Sequence, residues 1–260
     1  MFRPRRGLAI VSRPLIASSF ALNLSSEDKR DHADFARSLV LRSGFPVAVP
    51  NYRLTPKETT GDGEFRHPGH ALDILECLTF LTSWEGPSGL GNVYDSKAVH
   101  LIGHSCAAHM LSTIFLDSSS ITPSLTPTDA VRQSVKSIAL SEGIYDIDLL
   151  LSDYPEYRLW FIAPAFGDME SYRDFSVAEY SARTKDIRWL IVHSTGDTLV
   201  NLDQSKFMHG HLRQLMAEDA EGRVECDFHS FSVEHHDVFV DNGFIELLVR
   251  FASRDQATTT

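Results

Sequence analysis

Cysteine is scarce in this chain: Cys77, Cys106 and Cys226 are the three in 260 residues. An odd, widely spaced set offers no disulfide framework and no cysteine–histidine cluster at zinc spacing, which points to a reducing, intracellular compartment. Long apolar runs are missing too, since nothing approaches the ~18 consecutive apolar residues a membrane helix needs. Positive charge is in deficit, with 24 Lys and Arg against 35 Asp and Glu and a formal charge of −11. Nucleic acid and anionic membrane are therefore poor partners. No internal repeat, low-complexity block or interdomain linker interrupts the sequence. At 43% hydrophobic residues, the chain suits one domain built around a single core. Histidines number twelve, but His67/His70 and His209/His211 lack carboxylate or cysteine company at metal spacing. They read as surface or capping residues rather than metal ligands.

The first 24 residues stand apart. They carry Arg3, Arg5, Arg6 and Arg13, several serines, and no acidic residue before Glu27. That composition is similar to a mitochondrial transit peptide; a flexible tail and a misread start are the alternatives. The expected organisation is this atypical segment over 1–24, a single domain over 25–255 and a polar tail over 256–260. The cytoplasm is the expected compartment, with the mitochondrion as the alternative. No signature decides for or against a homodimer.

From Ser25 onward, strand and helix patterns alternate. Ser25 with Asp28 three residues on fits the start of a helix running towards Arg42. Phe45–Val49 reads as a buried strand. His67 to about Trp84 places Ile74, Leu75, Leu78 and Leu81 at helical spacing. Ala98–Ile102, Val135–Leu140, Trp189–Val192 and Val224–Phe231 read as further strands, and Val238–Phe251 as a closing helix. Strands alternating with helices imply an α/β fold, a mostly parallel sheet covered on both faces. Its earliest strands are hard to find.

The strand before Gly103-His104-Ser105-Cys106-Ala107 runs directly into a helical stretch, Ala108–Leu116. An alcohol needs an exposed perch, a base within reach and donors for the oxyanion before it can act as a nucleophile. A tight strand-to-helix turn with small residues two before and two after the serine supplies that perch. Ser105 fits, although alanine stands where the usual G-x-S-x-G has its second glycine. The backbone N–H of Cys106, at the helix start, is a candidate oxyanion donor. In the absence of a catalytic role, Ser105 is an ordinary helix cap, and Cys106 simply packs beneath the turn.

Downstream, Trp189–Ser194 ends in Thr195-Gly196-Asp197, which puts a carboxylate in the loop after a late strand. After the last strand comes Glu234-His235-His236-Asp237. The order Ser, Asp, His is that of a hydrolase triad. Spacing alone does not choose between His235 and His236. His229 is a weaker rival that reads as a strand residue.

At this point the chain resembles the fungal kynurenine formamidases of the α/β-hydrolase superfamily, over about Phe45 to Phe251. The resemblance rests on Pro50-Asn51-Tyr52-Arg53-Leu54-Thr55-Pro56, Arg66-His67-Pro68-Gly69-His70 with Asp73, and Gly103–Cys106. It continues in Glu142-Gly143-Ile144-Tyr145-Asp146, Tyr154-Pro155-Glu156-Tyr157-Arg158, Ala165-Phe166-Gly167, His193-Ser194 with Gly196-Asp197, and His235–Val238. The Tyr-Arg-Leu and elbow motifs are shared with many esterases, whereas the Gly-Ile-Tyr-Asp and Tyr-Pro-Glu-Tyr-Arg segments are narrower. The resemblance implies Ser105 as nucleophile, Asp197 as orienting acid and His235 as base. It also implies hydrolysis of N-formyl-L-kynurenine to L-kynurenine and formate, without a cofactor. The family's His-Gly-Gly oxyanion motif is absent, and Ile10–Leu24 contains no glycine pair. A broad carboxylesterase of the hormone-sensitive-lipase type, or an inactive scaffold that only binds, are the alternatives.

Overall fold

A computed structural model describes residues 13–21, 28–56, 65–87 and 91–254. Most of the arginine-rich segment and the polar tail lie outside these residues, as does Ser25. The chain enters through β1 (Pro14–Ala21), α1 (Ala33–Ser43), β2 (Val47–Ala48) and α2 (Gly69–Ser83). Next come β3 (Asp95–Ser105), α3 (Cys106–Phe115), β4 (Leu116–Asp117), α4 (Asp129–Ser134) and β5 (Val135–Ser141). The second half holds α5 (Ile147–Asp153), α6 (Ala163–Phe166), β6 (Ser181–Ala182), β7 (Arg188–Val192) and α7 (Leu202–Met216). It closes with α8 (Ala220–Arg223), β8 (Val224–Asp227) and α9 (Asn242–Ser253).

Among the described residues, six strands form one sheet in the order β2-β1-β3-β5-β7-β8, every neighbouring pair parallel. β4 and β6 make a separate antiparallel ribbon. Strand alternation buries both faces of the main sheet. Leu101, Ile138, Leu140, Trp189 and Ile191 point into one core cluster with α2 and α3. Ile102, Ala139, Leu190 and Val192 point into the other, against α1 and α9. Helix α3 is buried along all ten residues, as expected for a helix that is apolar all round.

Two early elements differ from the sequence pattern. β1 lies within the segment set apart by its arginines, yet it sits between β2 and β3. The sheet domain therefore reaches back to at least Pro14, not residue 25. Pro14 and the paired serines obscure that strand as a sequence signal. Helix α1 starts at Ala33, because Asp28 is engaged elsewhere: it accepts from the Arg30 amide at 2.9 Å and from Asn51 Nδ2 at 2.9 Å.

Chain order reverses across the sheet between β1 and β3. In open α/β sheets such a switch point opens a crevice at the carboxyl ends of the strands. Ala21 of β1 pairs with Ser105 of β3 at that end. Among the described residues, no helix is long and apolar enough to cross a membrane.

Candidate active site

Ser105 ends β3 and stands immediately before α3 with φ 54° and ψ −120°. L-residues rarely adopt this strained conformation, which is held by the close packing of strand and helix around it. Gly103 shows how close: a Cβ there would lie 2.8 Å from Leu111 Cδ1 and 3.0 Å from the Ala107 carbonyl oxygen. Gly103→Ala should therefore destabilise the fold by about 1–3 kcal/mol, the usual cost of overpacking. Thermal unfolding checks this, and an unchanged melting temperature would contradict it. Ala107 is fully buried in the place of the second glycine. The Cys106 amide lies at the first residue of α3, and its side chain is buried. The residues after β1, 22–27, lie outside the described residues.

Asp197 and His235 meet from neighbouring loops. His235 Nδ1 lies 2.8 Å from Asp197 Oδ2, and both side chains are buried. The other carboxylate oxygen, Oδ1, accepts from the amides of Leu199 and Val200 at 2.8 and 3.0 Å. The β7 loop is tied to the His235 loop through Ser194, whose Oγ donates to the Val233 carbonyl at 2.5 Å and accepts from the Val233 amide at 2.8 Å. Tyr157 braces the same loop by donating to the Leu199 carbonyl at 3.1 Å. His235 Nε2 and Ser105 Oγ are both buried without a hydrogen-bond partner. His236 packs edge-on against His235, their ring centroids 5.1 Å apart, and it is His235 that bonds Asp197. His229 is exposed in a turn beyond β8 rather than within the strand.

Two further buried groups surround the pair. His104 packs its ring 4.4 Å from that of His235 and places Nδ1 2.9 Å from Ser141 Oγ. Burial and the neighbouring histidines hold His104 neutral. Glu142, fully buried at φ 50° just after β5, accepts from the Ser194 amide at 3.3 Å through Oε1. Sequence patterns did not mark Glu142, His104 or Ser194 as site residues. Their only signal was membership of short motifs, because their importance comes from neighbouring strand ends. Among the described residues, His104, Glu142 and His235 form the one group whose metal-ligand-type atoms lie within 4.8 Å of one another. The Nδ1 atoms of both histidines are hydrogen-bonded, to Ser141 and Asp197.

Beside the first turn of α3 lies a narrow cleft lined by Cys106, His109, Ile144, Phe161, Phe166 and His67, among others. Among the described residues, no lysine, arginine or carboxylate lines it. Burial pushes His67 down to about 3, and His70 and His109 down to about 4, so all three are neutral at pH 7. His67 stacks on Phe166, with centroids 4.9 Å apart, and its Nε2 is buried without a partner. The sequence places His67 and His70 at the surface. The structure instead packs them into the cleft wall, because the segment before α2 folds inward against Ala165, whose carbonyl accepts from the His67 amide at 2.8 Å.

No protein-family model matches the chain. Its sequence is similar to a kynurenine formamidase of Meyerozyma guilliermondii, 26% identical over 168 residues, or 63% of this chain and 57% of that protein. A second kynurenine formamidase, from Eremothecium gossypii, is 28% identical over 196 residues, 69% of this chain and 70% of that one. The match thus spans little more than half of the first relative. Among solved structures, esterase B from Lactobacillus rhamnosis superposes with a TM-score of 0.68 at 14% identity, covering 97% of this chain and 80% of that one. At that identity the likeness speaks for the fold alone.

Proposed function

We propose that this chain, an α/β-hydrolase fold related in sequence to the fungal kynurenine formamidases, is a serine hydrolase that cleaves N-formyl-L-kynurenine to L-kynurenine and formate. The observation that carries it is the Asp197–His235 hydrogen bond at the same sheet edge as the strained Ser105. His235 Nε2 takes the proton of Ser105 while Oγ attacks the formyl carbon. The tetrahedral oxyanion is met by the Cys106 amide at the start of α3. Collapse breaks the C–N bond, and His235 passes the proton to the departing aryl amine. Water, deprotonated by His235, then releases formate from the Ser105 ester.

The uncharged, aromatic-rich cleft supports an aryl substrate. Its residues offer π-faces and apolar walls to a ring, while the neutral histidines supply polar edges. A small-molecule substrate of this kind needs no cofactor for hydrolysis.

Comparing turnover of N-formyl-L-kynurenine with that of short p-nitrophenyl esters tests the assignment. The formamide is expected to give the higher kcat/KM. A clear preference for the esters would turn the assignment to a broad carboxylesterase. An inert but folded protein would favour the third reading, a hydrolase scaffold retained for binding, which the missing His-Gly-Gly motivates.

A further inference from the structure

Glu142 is the buried titratable group for which the proposed triad has no use. Its geometry is nevertheless specific. Oε1 receives the Ser194 amide at 3.3 Å. Oε2 has no hydrogen-bond partner, and it stands 3.6 Å from His104 Nδ1 and 3.7 Å from His235 Nδ1. His235 Nδ1 is the atom that bonds Asp197. Two carboxyl groups therefore lie within 4 Å of one imidazole nitrogen. The positive φ of Glu142, 50°, is a costly conformation for a residue with a Cβ. A glycine would adopt it freely, yet an acid occupies the position.

We propose that Glu142 is a positioning residue of this site: its carboxyl, wedged between His104 and His235, holds the His235 ring against Asp197 and sets how readily His235 gives up the proton taken from Ser105. This builds on the serine-hydrolase role proposed above.

The physical case turns on the charge Glu142 carries. Among the described residues no lysine or arginine pairs with it, and the amide donor on Oε1 is long at 3.3 Å. The groups that face it are His104 from β3, Asp197 from the β7 loop, His235 from the loop after β8, and Tyr145 from its own segment. His236 and His32 stand near His104. Burial holds His104 towards the neutral form. A buried carboxyl beside a second carboxylate, without a cation, keeps its proton. Burial first and Asp197 second push Glu142 up to about 9. At neutral pH the Glu142 carboxyl then adds no second negative charge beside His235 Nδ1, and the imidazolium formed during acylation passes its proton to the departing amine. Were Glu142 to ionise, a second negative charge would hold the proton on His235 and slow its delivery.

The same protonation has a stability consequence of definite sign. Glu142 keeps in the folded chain a proton that the unfolded chain has lost above pH 4.5. Wild-type stability therefore declines from this source as pH rises from 4.5 towards 9. Glutamine keeps the Oε1 acceptor and cannot ionise. Glu142→Gln is expected to melt above wild type at pH 8, with the gap closing towards pH 4.5.

The test sets wild type, Glu142→Gln and Glu142→Asp side by side, with Ser105→Ala as the inactive control and N-formyl-L-kynurenine as substrate. Wild-type kcat should fall as pH passes about 9. That fall should be absent in Glu142→Gln, whose kcat at pH 7.5 stays within about threefold of wild type. Glu142→Asp withdraws the acid by one methylene and should lower kcat by roughly three- to tenfold with KM unchanged. It also serves if the glutamine variant does not fold. Alkaline limbs that superimpose, a loss above about tenfold in Glu142→Gln at pH 7.5, or an unchanged kcat in Glu142→Asp would each overturn the inference. A wild type inert towards the substrate would remove the hydrolase role and this one together. An active wild type with unmoved profiles would remove this one alone.

Discussion

Replacing Ser105 by alanine is expected to lower formylkynurenine hydrolysis by roughly 10³–10⁶ in kcat, with little change in substrate binding. Ser105 Oγ is buried, carries no hydrogen bond and sits on a strained turn. Nothing in the fold uses that hydroxyl as a structural tie, so its removal should leave the melting temperature close to wild type. The paired readout separates chemistry from folding. A variant that melts normally and keeps more than about a tenth of wild-type kcat would mean that Ser105 is not the nucleophile.

The second large effect is expected from Asp197→Asn. Asp197 accepts from His235 Nδ1 at 2.8 Å, which fixes the proton there and leaves Nε2 free to take another. An asparagine turned with its amide towards Nδ1 reverses that tautomer and removes the charge that stabilises the imidazolium. A loss of about 10²–10⁴ in kcat follows, with the fold retained. Glu142 lies 3.7 Å from the same nitrogen, yet as a neutral acid it does not replace the missing carboxylate. Steady-state kinetics of the purified variant decide the point. A loss smaller than tenfold would show that Asp197 does not orient the base.

The parts of this site that the sequence made readable are those written into contiguous residues. The run from Ala98 through Ser105 into α3 carries its strand, turn and helix in one stretch. The loop Thr195-Gly196-Asp197 follows an apolar strand directly. The relation between Asp197 and His235 is different: 38 residues separate them, and chain order rather than spacing suggested the pair. The choice of His235 over His236 needed the family motif. In the structure it is His235 that faces Asp197.

What stayed hidden depends on neighbouring strand ends. β1 carries a proline and two adjacent serines and lies in an arginine-rich stretch, so its place beside β3 had no apolar run to announce it. Glu142 appears in the sequence only as the first residue of the Glu-Gly-Ile-Tyr-Asp motif. Only β3 on one side and β7 on the other place it against His104 and Ser194. His67 and His70 read as surface or capping residues, yet they are cleft wall, because the irregular segment before α2 packs against the α6 region.

The account stands on Ser105 being a nucleophile that His235 activates, and covalent trapping tests this most directly. The purified chain is treated with a fluorophosphonate probe, and the adduct is located by mass spectrometry of the digested protein. A single adduct on Ser105, lost in His235→Ala, is the predicted result. A folded chain that takes up no probe, or carries it on another residue, would contradict the account.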